Sequence, residues 1–233
     1  MIKKVDIGII AAMEMELQGF LSRMSERKCV KVGGIDFHYG ILEKKTVALV
    51  VCGVGKVFAA MCAQTMILSF SPDLVINSGV AGSLNENVVI GDMVIATDVL
   101  QHDMDTSALG DPVGLISGIN VVNIHCDRNY AILIGKEAEK LGVPFVYGRV
   151  ASGDRFVCEK EQKDRIKELF SADACEMEGA AIGQVCYVNG QPFCVIRAIS
   201  DGGDESASMD YPKFAKMAAE RAVEVICAFI SSL

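Results

Sequence analysis

The sequence predicts a single α/β domain with three layers, in which a central mixed, strongly twisted sheet lies between helices. The chain has 233 residues, of which 51% are hydrophobic, so it can bury a large core. Short apolar runs alternate with helical patterns, and several of these runs contain no polar alternation, which is typical of strands covered on both faces. No linker or repeat interrupts the pattern, so we expect one domain over residues 1–233.

The first part of the chain begins with an apolar run over 5–11, which predicts a strand. Acidic residues open the helix predicted over 14–24, where Glu14 complements the helix dipole. The pair Gly33-Gly34, between two polar–apolar alternations, predicts a hairpin over 28–39. Further apolar runs predict strands over 45–51 and 74–78, on either side of a helix over 56–70.

The second part continues this alternation, with strands predicted over 93–100, 146–151 and 193–199 and helices over 129–141, 159–169 and 179–188. Glycines and Pro112 predict a long loop over 110–123. The last helix has the clearest pattern and is predicted to begin at Pro212, since proline suits a first helical turn. Its apolar residues recur at steps of three and four: Phe214, Met217, Ala218, Val225, Phe229 and Leu233.

The overall charge and the cysteines exclude several classes of protein. A formal net charge of -8 disfavours binding to nucleic acid or to anionic membranes. The nine cysteines are odd in number and never form a CxxC pair, which argues against a zinc ribbon and against a disulfide framework. The first ten residues lack a signal-peptide cleavage pattern, and no run reaches membrane-spanning length. We therefore expect a cytoplasmic protein.

Two tempting motifs are incomplete. Gly53-Val54-Gly55-Lys56 resembles a phosphate loop, but Val57 stands where Ser or Thr is needed, and Phe58 replaces the third glycine of a dinucleotide fingerprint. The second motif, His102-Asp103-Met104-Asp105, could ligate a metal, yet nothing in the sequence completes a coordination shell. We expect neither a metal nor a cofactor.

Polar residues cluster at the ends of four apolar strands or turns, where open α/β sheets usually bind ligands. Each segment alone is weak evidence, since acidic residues at a helix start or an Arg–Asp pair are often structural. The four segments cover residues 11–16, 77–82, 176–179 and 197–202, and they read A-A-M-E-M-E, N-S-G-V-A-G, E-M-E-G and R-A-I-S-D-G.

Taken together and in order, these segments resemble the nucleoside phosphorylase and nucleosidase superfamily, and most closely its 5′-methylthioadenosine/S-adenosylhomocysteine nucleosidase branch. The resemblance runs nearly the whole chain and implies the nucleoside phosphorylase-like fold. It includes the blocks I-G-I-I-A-A-M-E-M-E, V-G-K-V, N-S-G-V-A-G, G-D-M-V, S-G-D-R-F-V, E-M-E-G-A and R-A-I-S-D. It implies hydrolysis of an N-glycosidic bond, which releases adenine and a 5′-thio-ribose.

The chemistry of that reaction requires two separated carboxyl groups. Adenine leaves poorly as an anion, so an acid must protonate the ring while a base prepares water on the other face of the sugar. The resemblance implies that Asp201 is the acid, at purine N7, and that Glu16 is the base. It further implies that Glu178 accepts both ribose hydroxyls, that Met177 packs on the sugar and that Arg197 supports the diol end.

The resemblance also assigns the two ends of the substrate. Adenine binding is assigned to Phe156, Val157, Ser200, Ala81 and Gly82. Phe156 would stack on the base, and Ser200 would lie beside the acid. Taken alone, Phe156 would rather be a plain core aromatic. The pocket for the 5′ substituent is assigned to Met13, Val54, Tyr211, Leu109 and Asp111, and Ala12 is also expected to line the pocket. In the family, the segment corresponding to 102–118 reaches across a homodimer into the neighbouring pocket.

The sequence departs from the family at three positions. Val80 replaces a hydroxyl residue, while Leu109 and Asp111 stand where many relatives carry aromatics. Asp111 would make the pocket for the 5′ substituent more polar. This leaves open the preference between methylthio and homocysteinyl groups.

Several alternatives remain open at this point: a nucleosidase acting on futalosine-type or inosine-type compounds, a purine nucleoside phosphorylase, and a non-catalytic purine-binding protein. A phosphorylase needs arginines for phosphate, but residues 11–16 contain no basic residue and Asn77 begins the glycine-rich segment over 77–82, which we predict to be a turn. Asp201 favours amino-purines over 6-oxo purines. A sensor would have no use for a water-activating base such as Glu16.

Overall fold

The computed structural model describes residues 2–233 as a mixed sheet packed between helices. The strands are β1 (Ile7–Ala11), β2 (Ser25–Val32), β3 (Ile35–Leu42), β4 (Lys45–Val51), β5 (Leu74–Ser83), β6 (Met93–Gln101), β7 (Ile124–His125), β8 (Phe145–Ser152), β9 (Ala174–Glu176) and β10 (Phe193–Asp201). The helices are α1 (Glu14–Arg23), α2 (Lys56–Phe70), α3 (Arg128–Lys140), α4 (Lys160–Phe170), α5 (Gly179–Asn189) and α6 (Ala207–Ser232), with a short 3-10 turn at Ser107–Leu109.

The sheet closes on itself over five of its strands. Its order is β10-β6-β8-β9-β5-β1-β4-β3-β2, and β10 also pairs with β5. Strand β10 lies parallel to β5 and antiparallel to β6, while β9 lies parallel to β8 and antiparallel to β5. Strands β5, β10, β6, β8 and β9 therefore form a ring, and β1, β4, β3 and β2 extend from it as an open sheet. The predicted mixed sheet is confirmed.

Neighbouring residues of β1 face two different hydrophobic clusters, which explains its continuous apolar run. Ile9 packs in a cluster with side chains of α1, α3 and α6, whereas Ile10 packs in a second cluster with α2 and α5. Both isoleucines are fully buried. A strand covered on both faces has no position left for a polar side chain.

Several predicted elements match the structure closely. The strand over 45–51 and the helix over 56–70 have the predicted bounds, and β2 and β3 form the predicted hairpin. Gly33 and Gly34 at its turn have φ of 58° and 84°, the left-handed conformation that a two-residue hairpin turn requires. Residues 110–123 contain no strand or helix, only an isolated bridge between Ile116 and Val121.

The glycine-rich segment over 77–82 was predicted as a turn, and this prediction is wrong. Strand β5 continues to Ser83, and its residues pair in order with β10, from Val75 opposite Phe193 to Gly82 opposite Asp201. The glycines here do not reverse the chain. They let side chains of neighbouring elements lie close to the backbone of β5. Side chains from the neighbouring strand and helix occupy the space that a Cβ would need.

The predicted start of the last helix is also wrong. Helix α6 begins at Ala207, so Pro212 lies inside the helix rather than in its first turn. Hydrogen bonds among polar side chains stabilise the earlier start: Asp204 accepts the backbone N–H and the hydroxyl of Ser206, and the same hydroxyl lies 2.8 Å from Asp210 Oδ2. These side chains favour a turn before the apolar pattern begins.

The structure also shows the state of the cysteines and the character of the helices. All nine cysteines are free thiols, and most of them are buried. Among residues 2–233, no helix combines the length and the apolar character needed to cross a membrane. The cytoplasmic location stays a prediction.

Candidate active site

A cavity of about 390 Å³ lies where β5, β9 and β10 meet the start of α1. Its volume lies in the range that suits a small-molecule ligand. The cavity is lined by Ala12, Met13, Glu16, Val54, Val80, Ala81, Gly82, Phe156, Cys175, Glu176, Met177, Glu178, Ser200, Asp201 and Tyr211.

Glu16 lies in the first turn of α1, folded back against the backbone. The N–H groups of Ala12 and Met13 donate to its Oε2 over 2.9 and 3.0 Å, and the N–H of Val80 donates to its Oε1 over 3.0 Å. The residue is only 3% exposed. Burial raises the pKa of Glu16 above its ordinary value, against the opposing effects of Arg197 and these N–H groups. A carboxylate with a raised pKa is a stronger base.

Asp201 ends β10 and contributes a second buried carboxyl group to the same cavity. The hydroxyl of Ser200 donates to its Oδ2 over 2.8 Å, and the N–H of Gly203 donates to its Oδ1 over 2.9 Å. Burial raises the pKa of Asp201, and these two hydrogen bonds oppose the shift. A raised pKa favours the protonated form that a general acid needs.

Glu178 precedes α5 and supplies a third carboxyl group. The N–H of Gly55 donates to its Oε1 over 2.9 Å, and Arg197 Nη2 lies 3.9 Å from its Oε2. Burial and repulsion from Glu176 raise the pKa of Glu178 to about 7, although Arg197 opposes the shift. Since Gly55 has φ of 100°, a glycine is favoured at the position that binds this carboxylate.

Arg197 lies behind these carboxylates rather than on the cavity wall. It is 1% exposed and donates to Asn77 Oδ1 and to Glu176 Oε2. Burial alone would lower the pKa of Arg197, but Glu176, Glu178 and Glu16 outweigh it and raise the pKa. The guanidinium therefore remains charged among three acidic side chains.

Two glycines of β5 make room for the functional side chains. A Cβ at Gly79 would collide with Arg197 Nη1 and would lie 2.7 Å from Glu16 Oε1. A Cβ at Gly82 would lie 2.8 Å from Asp201 Oδ1. Real Cβ atoms do not approach other atoms so closely, so the absence of a side chain at these two positions is a condition for the site.

Aromatic and apolar side chains form the outer wall of the cavity. The rings of Phe156 and Tyr211 meet edge to face with their centroids 5.7 Å apart. The hydroxyl of Tyr211 lies 3.0 Å from the sulfur of Met13. Phe156 is 41% exposed, which excludes the plain core aromatic that the residue alone would suggest.

The cavity brings together most of the residues singled out from the sequence, and four of them lie elsewhere. Arg197 lies behind the wall, and Val157 lines a recess of about 30 Å³ that shares Phe156 and Asp201 with the cavity. Leu109 is 84% exposed, and Asp111 accepts a hydrogen bond from Thr106 Oγ1 over 2.7 Å. These two residues do not line the cavity of their own chain.

Sequence reasoning gave no role to two of the lining residues, Cys175 and Glu176. Glu176 belongs to the E-M-E-G run, but the resemblance assigns ribose binding to Glu178. The sequence feature that could have identified Glu176 is its position two residues before Glu178, beside a helix start that favours negative charge. Cys175 lies on β9 opposite Gly82, and no sequence pattern marked it.

The residues of the two incomplete motifs bind to each other. Lys56 Nζ donates to Asp103 Oδ1 over 2.5 Å and to Gln101 Oε1 over 3.0 Å. The N–H of Asp154 donates to the other oxygen of Asp103 over 2.9 Å. This ion pair fastens the start of α2 to the end of β6, which is a structural role.

Comparison with known proteins extends over almost the whole chain. Residues 6–231 match the family model described as the Phosphorylase superfamily. A 5′-methylthioadenosine/S-adenosylhomocysteine nucleosidase from Glaesserella parasuis is 37% identical over 227 residues, covering 97% of this chain and 98% of that protein. An aminodeoxyfutalosine nucleosidase from Helicobacter pylori is 35% identical over 228 residues, covering 97% and 99%.

Solved structures agree with these matches. A futalosine hydrolase of Helicobacter pylori has a TM-score of 0.94 at 34% identity, covering 100% of this chain and 99% of that chain. A 5′-methylthioadenosine/S-adenosylhomocysteine nucleosidase from Neisseria meningitidis, in complex with methylthio-immucillin-A, has a TM-score of 0.94 at 33% identity and full coverage of both chains. The chain therefore belongs to the phosphorylase superfamily and, within it, to the nucleosidases, which are N-ribosyl hydrolases.

Proposed function

We propose that the chain hydrolyses the N-glycosidic bond of 5′-methylthioadenosine and S-adenosylhomocysteine, releasing adenine and the 5′-thio-ribose. The observation that carries this proposal is that Glu16, Glu178 and Asp201, which come from three distant parts of the chain, line one cavity. The reaction needs a base, a group that binds the diol and an acid, and these three carboxyl groups can supply them.

In this proposal Asp201 donates its proton to purine N7, and the leaving adenine departs as a neutral molecule. Glu16 takes a proton from the water that attacks the anomeric carbon. Glu178 accepts hydrogen bonds from the ribose hydroxyls, since an ionised carboxylate has two acceptor oxygens. The environment supports each role, because burial raises the pKa of Asp201 toward the protonated form and makes Glu16 more basic.

The composition of the cavity wall supports water rather than phosphate as the nucleophile. Of the residues 2–233, those that line the 390 Å³ cavity include no lysine or arginine. The nearest buried cation, Arg197, is already bonded to Glu176 and Asn77. A phosphate ion in this cavity would meet four carboxyl groups without a free cation to neutralise it.

Aminodeoxyfutalosine, the substrate in the names of two relatives from Helicobacter pylori, is the second candidate. The identities are nearly equal, 37% to the methylthioadenosine nucleosidase of Glaesserella parasuis and 35% to the aminodeoxyfutalosine nucleosidase of Helicobacter pylori. The proposed acid, base and diol-binding residue would serve both substrates. The choice therefore depends on the wall that we assign to the 5′ substituent, formed by Met13, Val54 and Tyr211.

We also propose that the protein acts as a homodimer in which the segment 102–118 completes the pocket of the neighbouring subunit. Leu109 in this segment is 84% exposed and lies outside the cavity of its own chain, as a residue that contacts a partner's substrate would. Helix α2 adds exposed apolar side chains next to Val54 at the cavity, namely Val57, Phe58 and Met61, which are 70%, 55% and 49% exposed.

The direct test supplies methylthioadenosine, adenosylhomocysteine, aminodeoxyfutalosine, adenosine and inosine, each with and without phosphate, and follows release of the free base. We expect adenine from the 5′-thio-adenosines at a rate that does not depend on phosphate. Base release that requires phosphate would reject hydrolysis. A preference for aminodeoxyfutalosine over both thio-nucleosides would favour the second candidate.

A variant isolates the role of the proposed acid. Asp201→Asn should still bind the nucleoside but lose turnover by about 100-fold or more, because general acid catalysis contributes factors of that order. The matched control is Asp36→Asn, an exposed carboxylate on β3 that does not line the cavity. If Asp201→Asn keeps the turnover of the control, Asp201 is not the acid.

A further inference from the structure

We propose that Glu176 is a positioning residue that binds Arg197 and keeps it away from Glu178, so that Glu178 remains free to accept the ribose hydroxyls. Glu176 has no role in the proposed chemistry, although it lines the cavity. The inference rests on the proposed function, because it assigns Glu178 to the sugar.

Glu176 is the most heavily bonded carboxylate of the site, and its side chain is 3% exposed. The hydroxyl of Ser152 donates to its Oε1, and Arg197 donates to its Oε2. The backbone N–H of Glu178 donates to Oε2 over 3.0 Å, and the N–H of Gly179 donates to both oxygens, over 3.0 and 2.8 Å. These donors hold the carboxylate at the start of α5, where the helix dipole also favours negative charge.

The hydrogen bonds of Glu178 are fewer, and one of its oxygens is free. Its Oε1 accepts from the N–H of Gly55 over 2.9 Å. Within residues 2–233 no hydrogen bond reaches its Oε2, since Arg197 Nη2 lies 3.9 Å away. The guanidinium is directed instead to Glu176 and Asn77. Since Glu178 lines the cavity, an oxygen without a hydrogen-bond partner is available to a sugar hydroxyl.

The charges around Glu178 explain what the loss of Glu176 would do. Besides burial, the charged groups that act on Glu178 are Glu176 on β9, Arg197 on β10 and Glu16 on α1. Both glutamates raise the pKa of Glu178, and Arg197 lowers it. Without the charge of Glu176, Arg197 keeps two acidic neighbours, Glu178 and Glu16, and of these Glu178 is the one in an ion pair with it. It would pair directly with Glu178, lower its pKa and compete with the sugar.

The test is the variant Glu176→Gln, which keeps the shape of the side chain and removes its charge. For methylthioadenosine we expect kcat/KM well above neutral pH to fall about tenfold or more, mostly through KM. At the same time, the acid limb of the pH profile should move to lower pH by about one unit, because Glu178 becomes directly paired. The inhibition constant of adenine should stay unchanged, since adenine has no ribose.

Two further variants separate positioning from folding. Asp98→Asn also removes a buried carboxylate that binds an arginine, Arg149 Nε at 2.5 Å, but it lies outside the cavity. It should lower the melting temperature and leave the acid limb in place. Ser152→Ala removes one donor to Glu176 while every charge is kept, so it should raise KM by a smaller factor.

The outcomes distinguish this inference from the proposed function. If the wild-type chain releases no base from any nucleoside, both are rejected. If the wild type is active and Glu176→Gln keeps the acid limb of the wild type, Glu176 is structural and the inference is wrong. If Glu176→Gln does not fold, an unchanged KM in Ser152→Ala contradicts the inference and a raised KM supports it.

Discussion

At the scale of single residues, burial gives the three carboxyl groups of the proposed mechanism a proton affinity above that of a free side chain. The pKa of Glu16, Glu178 and Asp201 is raised in every case, with burial as the largest cause. In the proposed mechanism the raised pKa has two different effects. It keeps a proton on the acid, Asp201, and it makes the base, Glu16, stronger. Which role a carboxyl group takes depends on where it stands around the substrate.

These raised pKa values predict that kcat/KM depends on pH. Activity should fall as the pH drops through about 7, where Glu178 takes up a proton and loses an acceptor for the sugar. Glu16 must also be ionised to act as the base. Loss of the proton from Asp201 would also lower activity, and the raised pKa of Asp201 moves that loss to higher pH. Rates for methylthioadenosine measured between about pH 5 and about pH 9 check this prediction.

The Glu178→Gln variant is the control for this profile, because its side chain cannot titrate. Its residual activity should lack the step near the pKa of Glu178, about 7. A flat profile in the wild type, or an unchanged step in the variant, would contradict the assignment.

The glycines of β5 give a second prediction at this scale. Gly82→Ala should lower kcat about 100-fold, because its Cβ would lie 2.8 Å from Asp201 Oδ1 and would displace the acid. The control is Gly34→Ala, at the hairpin turn, where no atom lies within 4 Å of a Cβ. Its φ of 84° makes alanine strained there, at a cost of about 1 kcal/mol in unfolding free energy. Its activity should be unchanged.

At the scale of elements, how well the sequence predicted each one depended on its length and on its neighbours. Strands covered on both faces, such as β4, were found because a continuous apolar run leaves little ambiguity. Strands β7 and β9 have two and three residues, too few to establish a period. The true end of β5 could not be read from the sequence either. Its second half is a strand because β10 and β9 pair with it.

The site was predictable to a similar degree and for similar reasons. Glu16, Glu178 and Asp201 stand in blocks whose order resembles a known family, and the structure brings these residues to one cavity. The resemblance assigned Arg197 to the ribose. The sequence did not reveal that the guanidinium lies behind the cavity wall and binds Glu176. Contacts between side chains from different strands depend on register, which the sequence does not reveal.

The early start of α6 yields a prediction about stability. Pro212 is exposed in the interior of the helix, where it cannot donate a backbone hydrogen bond. Pro212→Ala should therefore raise the free energy of unfolding by about 1 kcal/mol or more, measured by urea denaturation. The control, Lys213→Ala at the neighbouring exposed position, should change it by less than about 0.5 kcal/mol. If Pro212→Ala has a lower free energy of unfolding than the wild type, the proline stabilises the helix and the prediction is wrong.

At the scale of the whole molecule, the exposed apolar side chains of α2 predict an association of two chains. Light scattering should give the wild type a mass of two chains. Val57→Glu combined with Phe58→Glu should give one chain and a kcat/KM lowered by about tenfold, because each cavity loses the partner's segment. Leu141→Glu, at a residue that is 50% exposed at the end of α3, should change neither quantity. A wild type with the mass of a single chain contradicts the proposed dimer.

The ring of strands has a consequence for how the protein matures in the cell. Strand β10 joins β5 to β6, yet it is the last of the described strands to leave the ribosome. Pairing between segments so far apart in sequence forms slowly, so the nascent polypeptide keeps the edges of β5 and β6 open during translation. A polypeptide that ends before residue 193 lacks both the closing strand and Asp201. Premature termination therefore gives an inactive product with two unpaired edges that invite aggregation.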